Sequence, residues 1–224
     1  MRGFYFEWGF LPKLAQGLLL TVEITAACIG LGFVLGLLLA LGRVYGRRLI
    51  SLPCSLYIQF FRGTPLLTQL FIIYFGLPNL GIYLSEFLSG VLALGLNTAA
   101  YQAEYFRGAI QAVKRGQMMA ARALGMTRPQ AIFHVVLPQA FRIVIPSWSN
   151  ELILMLKYSS IVFSISLYDL MGMGYKIATR RFIFFEVFVV VALFYLVLVL
   201  LVSQSLRWLE RRVRVPGLGA PGLR

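Results

Sequence analysis

The stretch GQMMAARALGMTRPQAIFHVVLPQA, Gly116 to Ala140, is too polar and too punctuated to cross a bilayer, yet its pattern is that of ordered helix. Met119, Ala120, Ala123 and Leu124 recur at helical spacing on one face, and Arg115 and Arg122 share another. Gly125 is a natural C-terminal stop for this first helix. Thr127 can cap a second one, and Gln130 three residues later completes a capping-box pattern. Leu137-Pro138 is expected to end that second helix and to start the segment after it. The stretch therefore predicts a helix–glycine–helix elbow with an apolar face.

The surroundings explain what such an element is attached to. Of 224 residues, 59% are hydrophobic and only 13% charged, against roughly 25% charged in ordinary soluble domains. That balance predicts an all-α integral membrane protein. The net charge of +13 would suit nucleic acid only if it formed a solvated basic face. Most Lys and Arg instead lie in short clusters between apolar runs, which membrane topology explains without a nucleic-acid partner. Cys28 and Cys54 sit in or beside apolar segments, and the single histidine, His134, has no Cys or carboxylate cluster beside it. Neither a disulfide framework nor a metal site is indicated.

A helix needs about 20 residues to cross about 30 Å of hydrocarbon. Five candidates satisfy this, at roughly 14–41, 52–75, 85–108, 138–160 and 184–206. The first is too long for the core of a secretory signal, about 7–15 residues, and reads as a retained span. The middle three carry Arg62, Glu104, Glu151 and Lys157. Arg43, Arg47 and Arg48 follow the first span, Lys114, Arg115, Arg122 and Arg128 follow the third, and Arg207, Arg211, Arg212 and Arg214 follow the fifth. With five spans all three clusters fall on one side, which the positive-inside rule makes cytoplasmic. Residues 1–13 are then an extracytoplasmic segment with the N-terminus outside. Residues 14–208 form the transmembrane domain, with a cytoplasmic loop at 112–137. Residues 209–224 form a cytoplasmic tail, Gly- and Pro-rich from Pro216 onward and expected to be disordered.

On residue pattern alone, the elbow has two readings. It can lie on lipid headgroups as an amphipathic re-entry, or dock a small-residue helical face into a soluble partner. Its residues resemble the EAA loop of permease subunits of bacterial ABC importers, whose pattern is Glu-Ala-Ala, three residues, Gly, about nine residues, then Ile or Val-x-Leu-Pro. Ala120, Ala121, Gly125, Val135, Leu137 and Pro138 match, and Met119 stands at the Glu position, a departure. The resemblance spans about Gly17 to Arg212. FRGTPLLTQLFIIYFGLP (Phe61–Pro78), NTAAYQAEYFRGAIQ (Asn97–Gln111) and LPQAFR (Leu137–Arg142) look like the polar amino acid uptake branch of that family.

The resemblance implies a type I importer permease fold, with about five helices forming half of a dimeric pathway. It implies a second permease chain, the same or homologous, and an extracytoplasmic amino acid binding protein, in a membrane-lipid setting. It also implies an ATPase subunit that carries ATP and Mg. Met119, Ala120, Ala121, Arg122, Leu124, Gly125 and Met126 would couple to that ATPase. No P-loop is present in this chain: the glycines at 42–46 and 172–174 lack the required spacing and have no Lys-Ser/Thr. Nor does a single histidine make a nucleophile–base–acid set. The chain is not expected to be an enzyme or to hold a cofactor.

Polar groups at membrane depth are the candidate substrate contacts, because a charge at the centre of a span costs about 2.5–3.5 kcal/mol and usually faces a cavity or a partner. Asn97, Tyr101 and Glu104 form one stripe at helical spacing. Lys157, with Ser159 and Ser160, supplies the opposite sign. A zwitterion would take its ammonium to Glu104 and its carboxylate to Lys157. Each has a plainer reading: Glu104 pairs with Arg107 at i+3, and Lys157 snorkels to headgroups. Arg62 is expected in a pathway or gate role beside Gly63 and Pro65. The role of Glu23 is left open, and Gly32-x3-Gly36 fits a close helix crossing. The alternatives in function are a stand-alone ion-coupled carrier, for which no internal repeat is visible, and a non-transporting membrane adaptor, which leaves the intramembrane Glu and Lys unexplained.

Overall fold

The computed structural model describes residues 8–213, and every regular element among them is helical. A short 3-10 turn, Trp8–Phe10, leads into α1 (Leu11–Tyr45). Then come α2 (Arg48–Gly63), α3 (Leu66–Phe71), α4 (Glu86–Ala112), α5 (Arg115–Ala123), α6 (Arg128–Ala131), α7 (Leu137–Tyr158), α8 (Leu170–Arg181) and α9 (Phe184–Val213). The tail expected to be disordered at 209–224 begins within α9, which continues as helix to Val213. Arg2, Glu7 and the residues from Arg214 onward lie outside the described residues.

Three helical stretches are long and apolar enough to cross a membrane: Leu11–Tyr45, Arg128–Ile165 and Phe184–Val213. A fourth, α2 with the helix from Leu66 to Leu80, qualifies only if counted as one span bent by 105°. The expected span at 52–75 is thus broken in the middle. Thr64 precedes Pro65 and is extended, with ψ at 145°, because the proline ring excludes the helical region for the residue before it. The expected third span coincides with α4, which has 27 residues and about 40 Å of length. α4 is not among the stretches apolar enough to cross by composition, so three or four of the five expected spans meet that measure. It keeps Asn97, Gln102 and Thr98 buried rather than facing lipid.

α4 is the centre of the molecule, and α1 lies along it. The crossing is close because two glycines of α1 face α4. A Cβ on Gly32 would stand 2.5 Å from the side chains of Gln102 and Thr98, and one on Gly36 only 3.0 Å from the carbonyl oxygen of Ala99. Small residues at a four-residue spacing let the backbones meet. Gln102 uses that proximity to donate to the carbonyl of Ile29, and it accepts from the indole N–H of Trp148 on α7. Phe33, Phe106, Phe141 and Trp148 then pack edge-on and stacked between α1, α4 and α7.

At the other end of α1, α8 is fastened by Asp169, which caps α8 by accepting from the backbone N–H of Gly172. Its second carboxylate oxygen accepts from Thr21 on α1 and from the Tyr195 hydroxyl on α9. One buried carboxylate thereby holds three helices, with its acceptor sites occupied as burial requires.

One boundary differs from expectation. Leu137-Pro138 does not end a helix: α6 runs through a π-helical turn, Ile132–Val136, directly into α7. A proline inside a regular helix loses a hydrogen bond and clashes with the carbonyl four residues back. The wider π turn immediately before Pro138 accommodates both, so the helix continues where the dipeptide alone predicts a stop.

Candidate functional site

The break between α2 and α3 shapes the site. Pro65 has no N–H, so the carbonyl of Phe61 four residues earlier has no helical donor. In a membrane protein that carbonyl must find another. Asn97 Nδ2 on α4 donates to it at 3.0 Å, and Gln69 Nε2 on α3 donates at 2.9 Å. Gln69 also donates to the carbonyl and hydroxyl oxygens of Thr64, and its own Oε1 accepts from Asn97. Asn97, expected as a substrate contact, is thus also the clamp that holds the broken backbone.

Beside this knot opens a cavity of about 500 Å³, bounded by the break at Thr64–Leu67, by α4 and by the last turns of α7. Asn97, Tyr101, Tyr105, Glu151 and Tyr158 contribute its polar groups. Arg62 is not part of the lining, but its guanidinium lies 5.2 Å from the centre of the Tyr101 ring, a cation–π distance. Glu151 is 4% exposed. Its two oxygens accept from Thr98 at 2.6 Å and from the Tyr105 hydroxyl at 3.1 Å, and no cation pairs with it among the described residues. A buried carboxylate with neutral donors only is suited to receive a positive group.

The stripe of Asn97, Tyr101 and Glu104 is only partly brought together. Asn97 and Tyr101 line the cavity, and Glu104 does not. One Glu104 oxygen is held by Arg43 of α1, and the other accepts from Nε and Nη2 of Arg107 at 2.9 and 2.7 Å. The plain i+3 reading of Glu104 with Arg107 is what the structure displays, with Arg43 added from 61 residues away. Lys157 is exposed and outside the cavity lining. Ser159 and Ser160 turn their hydroxyls back onto the carbonyls of Leu156 and Lys157. Glu104 and Lys157 are therefore not presented to one ligand in this arrangement. Glu23 is exposed on α1.

Glu151, Tyr105 and Tyr158 are the cavity residues that sequence reasoning did not select. A signal existed for Glu151, a carboxylate inside an apolar segment, equivalent in kind to Glu104. For the two tyrosines nothing in the pattern distinguishes a cavity wall from a packing position.

The elbow forms as its residues predict. α5 ends at Ala123, and Gly125 takes the left-handed conformation, with φ at +84°. The backbone N–H groups of Gly125 and Met126 close the end by donating to Arg122 and Ala121, while the Arg122 guanidinium donates to the carbonyl of Met126. The capping box is complete: Gln130 N–H donates to Thr127 Oγ1, and Thr127 N–H donates to Gln130 Oε1 at 2.8 Å. Ala121 is buried against the rest of the chain. Met119, Leu124 and Phe133 are 66%, 82% and 59% exposed, with Ala120 and Ala123 exposed beside them and Met126 half-buried. Arg128 lies over the ring of Tyr45, joining the elbow to the end of α1.

Comparison with known proteins gives this geometry relatives. A model of the family described as the binding-protein-dependent transport system inner membrane component matches residues 32–215. The probable glutamine ABC transporter permease protein GlnM of Bacillus subtilis is 41% identical over 181 residues, covering 81% of this chain and 84% of the relative. The arginine transport system permease protein ArtQ of the same organism is 37% identical, with 91% and 94% covered. A crystal structure of an amino acid ABC transporter with histidines superposes with a TM-score of 0.84 at 40% identity, covering 91% of this chain and 95% of that one. The inward-facing methionine transporter MetNI, at 22% identity and a TM-score of 0.79, shares the fold.

Proposed function

The chain belongs to the family of binding-protein-dependent transport system inner membrane components, and from that premise we propose how it works. It is the permease subunit of an ATP-driven amino acid importer and forms half of the translocation pathway. A second permease chain, the same or homologous, forms the other half. A separate ATPase subunit, carrying ATP and Mg, docks on the exposed apolar face of the elbow, Met119, Leu124 and the two exposed alanines, Ala120 and Ala123. An extracytoplasmic binding protein delivers the amino acid to the opposite end. The N-terminus lies outside and α9 ends in the cytoplasm, in keeping with the basic residues in the last turns of α1 and α9 and after α4.

The observation that carries this reading is a single continuous helix. From Arg128 in the elbow to Tyr158 at the cavity there is no break except the π turn, and Glu151 lies about 35 Å along it. Displacement of the elbow by the ATPase then moves the cavity wall through one helix, with Pro146 the point at which it can bend. In the cavity, the Glu151 carboxylate takes the ammonium of the amino acid, and Tyr101, Tyr105 and Asn97 line the space around the side chain. Arg62, which lies over the Tyr101 ring, draws the carboxylate.

The test is reconstitution of the full complex in liposomes. ATP-dependent uptake is expected, and uptake by this chain alone would overturn the reading in favour of a stand-alone carrier. Glu151→Gln removes a charge-assisted contact and is expected to raise the half-saturating concentration roughly 10- to 150-fold with basal ATPase activity kept. An unchanged half-saturation would remove Glu151 from the substrate path while leaving the importer reading intact.

A further inference from the structure

At the end of α1 away from the elbow, a second concavity of about 220 Å³ lies between the first turns of α1 and the last turns of α8. It shares no lining residue with the cavity beside Glu151. Lys13 and Gln16 come from α1, and Lys176, Arg180 and Arg181 come from α8. Lys13 and Arg180 have no ion-pair partner among the described residues. Lys176 sits with its ammonium 4.1 Å from the centre of the Tyr168 ring, which leaves its charge unneutralised. The described carboxylates in the segments flanking this end are Glu186, in the first turn of α9, and Asp169, whose oxygens are taken by Thr21, Tyr195 and Gly172. Among the described residues, Lys13, Lys176 and Arg180 give this concave cleft an excess of positive charge.

Its depth in the bilayer follows from its neighbours. Two membrane-length helices begin beside it, α1 at Leu11 and α9 at Phe184. Between α8 and α9, Phe182, Phe184 and Phe185 are 84%, 44% and 72% exposed. Three exposed apolar rings within four residues do not suit bulk water, and beside the starts of two membrane-length helices they fit the boundary between acyl chains and headgroups. Cations set beside them stand at the level of lipid phosphates. At about 220 Å³ the cleft is large enough to admit a phosphate group, and the acyl chains of a lipid held there would run outward past Phe182 and Phe185.

We propose that this cleft between α1 and α8 is a binding site for the headgroup of an anionic phospholipid in the leaflet opposite the elbow. Lys13 and Arg180 bond the phosphodiester oxygens, Lys176 adds charge, and Gln16 donates to the glycerol. A bound lipid would join α8, and through Asp169 also α9, to the start of α1.

The probe is phosphatidylglycerol, titrated against phosphatidylcholine with the same acyl chains into the purified full-length chain and read by native mass spectrometry. One tightly held phosphatidylglycerol per chain is expected. In the variant Lys13→Gln/Arg180→Gln, loss of two surface cations should weaken that site roughly tenfold to thirtyfold, whereas Lys13→Arg/Arg180→Lys should retain it. An equal number of tight lipids in the Gln and charge-retaining variants would overturn the proposal. Displacement of the lipid by millimolar inorganic phosphate would identify a soluble-anion site instead. If the Gln variant keeps its lipid but loses the extracytoplasmic binding protein in discs of neutral lipid, the cleft is a protein contact and the lipid assignment fails.

Discussion

Asn97 on α4 and Gln69 on α3 are joined by a 3.0 Å hydrogen bond, and both side chains donate to the same carbonyl, that of Phe61. Two amides from different helices replace the one backbone N–H that Pro65 lacks. The break in the second span is thereby made as definite a structure as an intact helix.

Replacing Asn97 by Leu should leave Gln69 Oε1 without its donor in a buried place, at a cost of about 1–3 kcal/mol. The expected result is a thermal midpoint several degrees lower for the purified complex, together with loss of uptake. If the midpoint does not move, Gln69 alone sustains the break and Asn97 acts on substrate only.

The α1–α4 crossing predicts different responses from two nearby glycines. Gly36→Val forces a side chain against the backbone of Ala99, which cannot yield, and overpacking of this kind costs about 1–3 kcal/mol. Gly30 has nothing within 4 Å of a would-be Cβ, so Gly30→Val should express and assemble as the parent does. Equal tolerance of both, measured by yield of folded complex, would contradict so close a crossing.

Glu104→Gln should act on stability more than on substrate. It leaves Arg43 and Arg107, both partly buried, without their shared counter-charge. Less folded complex is expected, and the complex that does fold should have an unchanged half-saturating concentration. The double variant Arg43→Gln/Glu104→Gln should recover part of the loss, as coupled neighbours do. A raised half-saturation in a fully stable Glu104→Gln complex would restore this carboxylate to the pathway.

Gly125→Val places a β-branched side chain at φ +84°, where the left-handed region costs an ordinary residue about 1–2 kcal/mol. The chain should still insert in the membrane, but less ATPase should co-purify with it and uptake should stop. Undiminished co-purification would mean the elbow is not the ATPase contact.

Met119 is 66% exposed, at the position where the EAA pattern that this loop resembles has Glu. Met119→Glu should assemble, with ATPase activity altered several-fold at most. Complete loss of assembly would identify the methionine as a packed anchor of the interface.

Much of this architecture was legible because its causes are local. The elbow is written in Gly125, Thr127 and Gln130, whose conformations and bonds lie within a few residues of one another. The all-helical membrane class follows from the apolar runs, and the small-residue crossing from Gly32 and Gly36 four residues apart. The break in the second span was not legible, since the sequence predicts one span at 52–75, although the missing N–H that causes it is a property of Pro65 itself.

Tertiary structure alone decided what depends on helix rotation and on partners distant in sequence. Glu104 and Glu151 are both carboxylates in apolar segments, and no periodicity separates them. Arg43, 61 residues before Glu104, folds against the first and occupies it, while Thr98 and Tyr105 present the second to a cavity without neutralising it. Pro138 would stop a helix by its own chemistry, and only the π turn before it joins the elbow to the cavity in one piece. Sequence fixes which groups must find a partner when water is removed, and the packing of the helices determines which partner each one meets.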